Sequence, residues 1–174
     1  LLLDAWTQRH RHQPFDRDGV WAASGHVIPP LLAHLRSHAF FARKPPKSSG
    51  REMFNLAWLE TQLTGSENPA DVQATLLALT AEGIADAVKR HCADAREVYL
   101  CGGGARNVAL VRALGEQLAP RKVAPTDALG IAAEHVEAIA FAWLASRSLH
   151  GHAGNLPAVT GARGNRVLGA LYRA

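Results

Sequence analysis

Apolar residues recur along this chain at two spacings, and the change of spacing divides it. Up to about residue 92 the period is helical. Leu2, Leu3 and Trp6 share one side of a segment from Leu1 to about His12, which reads as the end of a helix that Pro14 stops. Pro29 and Pro30 open a short helix through Leu31, Leu32 and Leu35, proline being suited to a first turn. Met53, Leu56, Ala57 and Leu63 form a helical stripe over Glu52 to Leu63. Asn68-Pro69 is a strong helix start, with Asn as cap and Pro in the first turn. From there Val72, Leu76, Leu79, Gly83 and Ala87 define one face of a helix running to about Cys92.

Beyond that point short apolar runs alternate with helical stretches. Glu97 to Cys101 predicts a strand, Asn107 to Leu118 a helix and Lys122 to Ala124 a short strand. A loop over Thr126 to Ile131 leads to a helix over Glu134 to Leu149. That helix is apolar nearly all round from Ala138 to Ala145, a pattern that belongs inside a domain or between two elements. Gly151 to Ala174 is loop-rich, with an apolar Val167 to Leu171. The expected class is α/β, with residues 1–95 mostly helical and residues 96–174 carrying strand–helix–strand–helix. No internal repeat or low-complexity tract is present.

The informative break is Val98-Tyr99-Leu100-Cys101-Gly102-Gly103-Gly104-Ala105-Arg106-Asn107. An apolar run ends on three consecutive glycines and a helix follows. A turn without Cβ atoms lets a phosphate or a flat nucleoside approach the backbone, helped by the positive end of the helix dipole. An ordinary strand-to-helix connection would look the same. The run is neither a Walker A loop, which needs Lys-Ser or Lys-Thr after its last glycine, nor the spaced GxGxxG fingerprint.

Composition narrows the choices. Hydrophobic residues at 48% and charged residues at 20% of 174 describe a globular chain with the length for one domain and a real core. A net charge of +4, with cations scattered among acids, gives no strong case for nucleic acid. The longest apolar segment, Val136 to Leu144, is interrupted by Glu137 and is far too short to span a bilayer. Cys92 and Cys101 read as buried free thiols rather than a disulfide framework, which suits a reducing cytoplasm. The front shows no signal-peptide pattern. It opens without Met and already in mid-helix pattern, as a chain cut open would.

Other candidates for chemistry are weaker. Of nine histidines, His10 and His12 fall on opposite sides of a helix, His150 and His152 straddle a loop start, and no HExxH or paired CxxC exists, so no metal site is expected. Asp16-Arg17-Asp18-Gly19 resembles the start of a calcium loop but lacks the remaining ligands, which favours a side-chain-capped turn. The basic, proline-stiffened loop from Lys44 to Arg51 could hold an anion through Lys47, Arg51 and its hydroxyls, or be a solvated connector. Glu137 lies in the first turns of a strongly apolar helix. The dipole favours it there, and a helix buried all round would also force it toward a cleft or a donor. No GxSxG or Cys-His signature supports nucleophilic catalysis.

Several segments in order carry a resemblance: Leu1 to Trp6, Pro14-Phe15-Asp16 to Gly19, Pro46-Lys47-Ser48-Ser49-Gly50-Arg51-Glu52-Met53-Phe54-Asn55, Cys101 to Asn107, Thr126-Asp127, Glu137-Ala138 through Trp143, and Gly154-Asn155-Leu156-Pro157 to Ala162. Together they resemble the anhydro-N-acetylmuramic acid kinases of the sugar-kinase/heat-shock-protein/actin superfamily. The resemblance implies two ribonuclease-H-like domains around a nucleotide cleft. It implies use of ATP, Mg²⁺ and water to open the anhydro ring and phosphorylate O6 of the sugar in cell-wall recycling, in the cytoplasm, with room for a homodimer. Gly102, Gly103, Gly104 and Asn107 match the adenosine-side loop, and Glu137 matches a carboxylate that contacts the sugar. The family's phosphate loop and its catalytic Asp have no counterpart in these residues. The resemblance therefore implies the C-terminal half, with an incomplete sheet and no catalytic residue of its own. Two alternatives stay open: another sugar or acetate kinase of the superfamily, and a non-catalytic remnant serving as an interaction or dimerisation module.

Overall fold

The computed structural model describes residues 1–172. Six helices come first: α1 (Leu2–Arg11), α2 (Val20–Ser24), α3 (Pro29–Arg36), α4 (Ala39–Ala42), α5 (Leu56–Glu60) and α6 (Pro69–His91). Then β1 (Glu97–Leu100), α7 (Val108–Leu118) and β2 (Lys122–Pro125) form one crossover unit, followed by α8 (Val136–Leu149) and α9 (Pro157–Thr160). The two strands pair in parallel, Glu97 opposite Lys122 and Leu100 opposite Pro125. Parallel neighbours need a crossover connection, and α7 supplies it. The class is α/β and helix-rich, with a two-stranded sheet among the described residues.

Helix α6 is the spine. Its first half buries Val72, Leu76 and Leu79 against Trp6 of α1, Leu31 and Leu35 of α3 and Leu59 of α5. Its second half buries Ala81 and Ala85 against Leu110, Leu114 and Leu118 of α7, with Val98, Leu100 and Val123 of the sheet packed on that cluster. Burying a leucine contributes about 1.5–3 kcal/mol, so a handful of such residues on each side anchors the helix. Asn68 caps α6 as its sequence promised, its side chain accepting from the Ala70 N–H at 2.9 Å. Polar ties fix the neighbours: Trp6 Nε1 donates to the Pro69 carbonyl at 2.8 Å, and the Ile28 N–H donates to Thr75 Oγ1 at 2.9 Å. Gly25 allows the end of α2 to touch α6, since a Cβ there would sit 2.1 Å from the Ala70 oxygen.

Four expectations need correction. The stripe from Glu52 to Leu63 becomes a helix only over Leu56–Glu60, because Asn55 starts it there by accepting from the Trp58 N–H at 2.8 Å. On α6, Ala87 is exposed and Ala85 is buried in its place, since the packing partner changes from the helical layer to α7 along its length. Cys92 and Cys101 are free thiols but both are exposed. Cys92 lies just past the last turn of α6, and Cys101 lies where the chain leaves the sheet. Finally, α8 is not inside anything: none of its residues is buried. Its sequence is apolar all round, yet Phe141 is 72% and Trp143 53% exposed on opposite sides of the helix, because described elements cover neither side.

Candidate functional site

The glycine run adopts the geometry that its lack of side chains permits. Gly102 has φ 74° and ψ −175°, a region that essentially only glycine occupies. Its N–H donates to the Ala133 carbonyl at 2.9 Å. Gly103–Arg106 then make a 3-10 turn, closed by Ala105 N–H to Gly102 O and Asn107 N–H to Gly104 O, both at 3.1 Å. A Cβ on Gly102 or Gly103 would meet nothing within 4 Å. The backbone between β1 and α7 therefore presents an open face beside a helix N-terminus, where the dipole favours negative charge.

Asn107 closes the turn and caps α7, its Oδ1 accepting from the Leu110 N–H at 2.9 Å. The oxygen is thus committed to structure, and the amide nitrogen donates no hydrogen bond among the described residues. The Asp16–Gly19 turn packs against this cap. Gly19 has φ 71°, and a Cβ on it would lie 2.3 Å from Asn107 Oδ1 and 2.6 Å from the Ala109 Cβ. Asp16 holds that turn by accepting from the Trp21 and Ala22 N–H groups, each at 2.9 Å. The segment is therefore a capped turn. Among the described residues no group of three or more His, Cys, Asp or Glu could hold a metal ion.

Two contacts bring the segment 126–134 to the glycine turn: the Gly102–Ala133 bond and an ion pair between Arg106 and Glu134. Within the segment, Asp127 Oδ2 accepts from the Ala133 N–H at 3.2 Å. The Arg106 hydrogen bond first, and backbone N–H donation second, hold the Glu134 carboxyl below the usual carboxylate range. Sequence reasoning missed Arg106 and Glu134 as a pair. Their only signal is opposite charge 28 positions apart, and no local rule joins residues at that separation.

Glu137 stands apart from that arrangement. It occupies the first turn of α8 and is exposed, with no hydrogen bond or ion pair among the described residues. The reasoning that a buried helix would force it toward a donor therefore fails, because α8 is itself exposed. In the basic loop, Lys47 turns inward, its Nζ donating to the Phe40 and Phe41 carbonyls at 3.0 and 3.3 Å. Among the histidines, His10 packs on the Trp6 ring at 4.0 Å between centroids, and burial first, then the charge of Arg9, pushes its pKa down.

A helical layer joined through one long helix to a β–α–β crossover, with a glycine turn open at the strand end, defines a helix-rich α/β chain with a candidate nucleotide face. The model of the anhydro-N-acetylmuramic acid kinase family matches residues 1–174, and the chain belongs to that family. Proteins named anhydro-N-acetylmuramic acid kinase in Nitrosospira multiformis and Chromobacterium violaceum are 52% and 54% identical to it, each over 99% of this chain. The one in Nitrosomonas europaea is 53% identical over 100% of it. Only 47%, 48% and 48% of those proteins is matched, so the chain spans about half the length of the curated relatives.

Proposed function

We propose that this chain forms the nucleoside-side wall, and one side of the sugar site, of an ATP-dependent anhydro-N-acetylmuramic acid kinase. The observation that carries the proposal is the open backbone of Gly102 and Gly103 beside the N-terminus of α7. The family membership supplies the reaction: ATP and water convert 1,6-anhydro-N-acetylmuramic acid to N-acetylmuramic acid 6-phosphate. In this reading the glycine backbone lies against the adenosine, the Asn107 amide nitrogen meets its polar edge, and Glu137 orients the sugar. Residues 1–95 are the helical part, and residues 96–174 the part bearing the nucleotide loop, of the C-terminal portion of a two-domain, ribonuclease-H-like enzyme working in the cytoplasm. No helix among the described residues is long and apolar enough to cross a membrane. Mg²⁺ belongs to the reaction in this reading, but the described residues assemble no carboxylate cluster for it, so no step is assigned to the ion.

The sequence contains no match to the family's phosphate loop or catalytic Asp, so this chain by itself should hold nucleotide and transfer nothing. Calorimetric titration with ATP tests the proposal. Gly103→Val places a branched side chain in the open face, where its Cβ meets no protein atom within 4 Å and, in this reading, the side chain meets the nucleoside. ATP binding should weaken by about 1–3 kcal/mol, the scale of local steric strain, while thermal unfolding stays put. Unchanged ATP affinity in the folded variant overturns the nucleotide assignment. One observation favours a second role alongside this one: the exposed apolar residues of α8 suit self-association as a homodimer.

A further inference from the structure

We propose that Asp127, acting through the Ala133 backbone, is a positioning residue that holds the glycine turn in shape for the nucleotide, an inference that rests on the nucleotide reading given above. Asp127 stands just past the end of β2, as the glycine turn stands just past the end of β1. Parallel pairing of the two strands brings both loops to one edge of the sheet.

The turn needs an outside hold. Gly102, Gly103 and Gly104 have no side chains to pack, and glycine loses more conformational freedom on ordering than any other residue. The turn's own bonds, Ala105 N–H to Gly102 O and Asn107 N–H to Gly104 O, close it locally without anchoring it to the loop beside it. Among the described residues, one hydrogen bond ties the three glycines to a different segment: Gly102 N–H to the Ala133 carbonyl at 2.9 Å.

Asp127 fixes the acceptor of that bond. Ala133 is buried, and its N–H donates to Asp127 Oδ2 at 3.2 Å, so one residue is held at its N–H by Asp127 and at its carbonyl by Gly102. The loop that carries Asp127 closes on itself through Gly130 N–H to Asp127 O at 3.0 Å and Ile131 N–H to Thr126 O at 3.3 Å, which keeps the carboxylate within reach of Ala133. The Arg106–Glu134 pair adds a second tie, but both side chains are exposed and an exposed ion pair contributes little. The sign of a substitution at Asp127 is therefore informative. A bystander carboxylate near the nucleotide would repel its phosphates, and removing it would tighten ATP or leave it unchanged. Removing a positioning residue weakens ATP.

The test combines calorimetry with ATP and amide hydrogen exchange by NMR on the 174-residue chain. Asp127→Ala should raise the ATP Kd about tenfold, the scale of a lost hydrogen bond to a charged group. It should speed exchange of the Gly102 N–H by a similar factor, while exchange at Leu114 in α7 stays unchanged, because the opening is local. Asp127→Asn keeps a side-chain oxygen for the Ala133 N–H without the charge, and should bring both readings back to within about threefold of wild type. Unchanged or tighter ATP binding by Asp127→Ala, or unchanged Gly102 exchange, would overturn the inference and leave the nucleotide reading standing. Gly102 exchange that rises in step with Leu114 would make Asp127 a general stabiliser and overturn it as well. No ATP binding by the unaltered chain would overturn the nucleotide reading, and this inference with it.

Discussion

Gly102 and Gly103 are neighbours without side chains, yet the backbone asks different things of them. Gly102 sits at φ 74° and ψ −175°, where any side chain is strained, whereas Gly103 is in a 3-10 turn with ordinary φ. Gly102→Ala should therefore cost about 1–3 kcal/mol in urea unfolding, and Gly103→Ala should stay within about 0.5 kcal/mol of wild type. Similar costs for both would mean that the turn is not held as described. A second residue-scale prediction concerns Glu67, whose carboxylate accepts from the Thr64 N–H and hydroxyl and the Gly65 N–H, all at 2.9 Å. These bonds, the Thr64 N–H foremost, lower its pKa to about 2 from an ordinary 4.5. A carboxyl with a depressed folded pKa stabilises the fold fully above its unfolded pKa and loses that effect as pH falls through the folded one. Glu67→Gln should thus be less stable than wild type at neutral pH. The gap should close as pH drops from about 4.5 toward 2. A gap independent of pH would show that the loss is one of shape rather than charge.

At the scale of elements, α6 decides how the chain unfolds. It contributes Leu76 to the cluster with α1, α3 and α5, and Ala81 and Ala85 to the cluster with α7 and the sheet. Leu76→Ala and Leu114→Ala, one in each cluster, should each cost about 2–5 kcal/mol, and each should unfold in a single transition. Two transitions, with only one shifted by each substitution, would mean that the helical part and the crossover unit fold independently. The elements were legible where a local rule exists. Asn68-Pro69 marks the start of α6, Pro29-Pro30 opens α3, and the switch from helical spacing to short apolar runs marks β1, α7 and β2. What was illegible depends on a partner. The buried face of α6 turns toward α7, and Arg106 finds Glu134 across 28 residues. The start of α5 at Asn55 is a local cap that the longer apolar stripe concealed. In the candidate site the glycine turn could be read directly, and the cap at Asn107, taken from the pattern as the first residue of the helix, and the brace from Gly19 could not. Helix α8 misled for the same reason: apolar periodicity reports what a helix can bury, and burial itself needs a covering surface.

At the scale of the molecule, the uncovered apolar residues around α8 have a consequence in solution. Ile139, Phe141, Trp143 and Leu149 of α8 are 52%, 72%, 53% and 66% exposed. Soluble monomers rarely leave contiguous apolar patches of more than a few hundred Å² open to water, because removing such area from water yields roughly 25 cal/mol per Å². The chain should therefore self-associate reversibly, with sedimentation velocity showing a weight-average mass that rises with concentration. Phe141→Ser with Trp143→Ser removes the two aromatic residues without opening a cavity, since neither is buried. The variant should sediment at the monomer mass across the same range, with stability within about 1 kcal/mol of wild type for two surface changes. Its ATP affinity should also be unchanged if the glycine turn alone carries the nucleotide. A wild-type chain that stays monomeric at high micromolar concentration would show that α8 does not mediate self-association. A variant that associates as strongly as wild type would move the contact off the two aromatic residues, to Ile139 and Leu149 of α8 or to the exposed Leu156 and Val159 at α9.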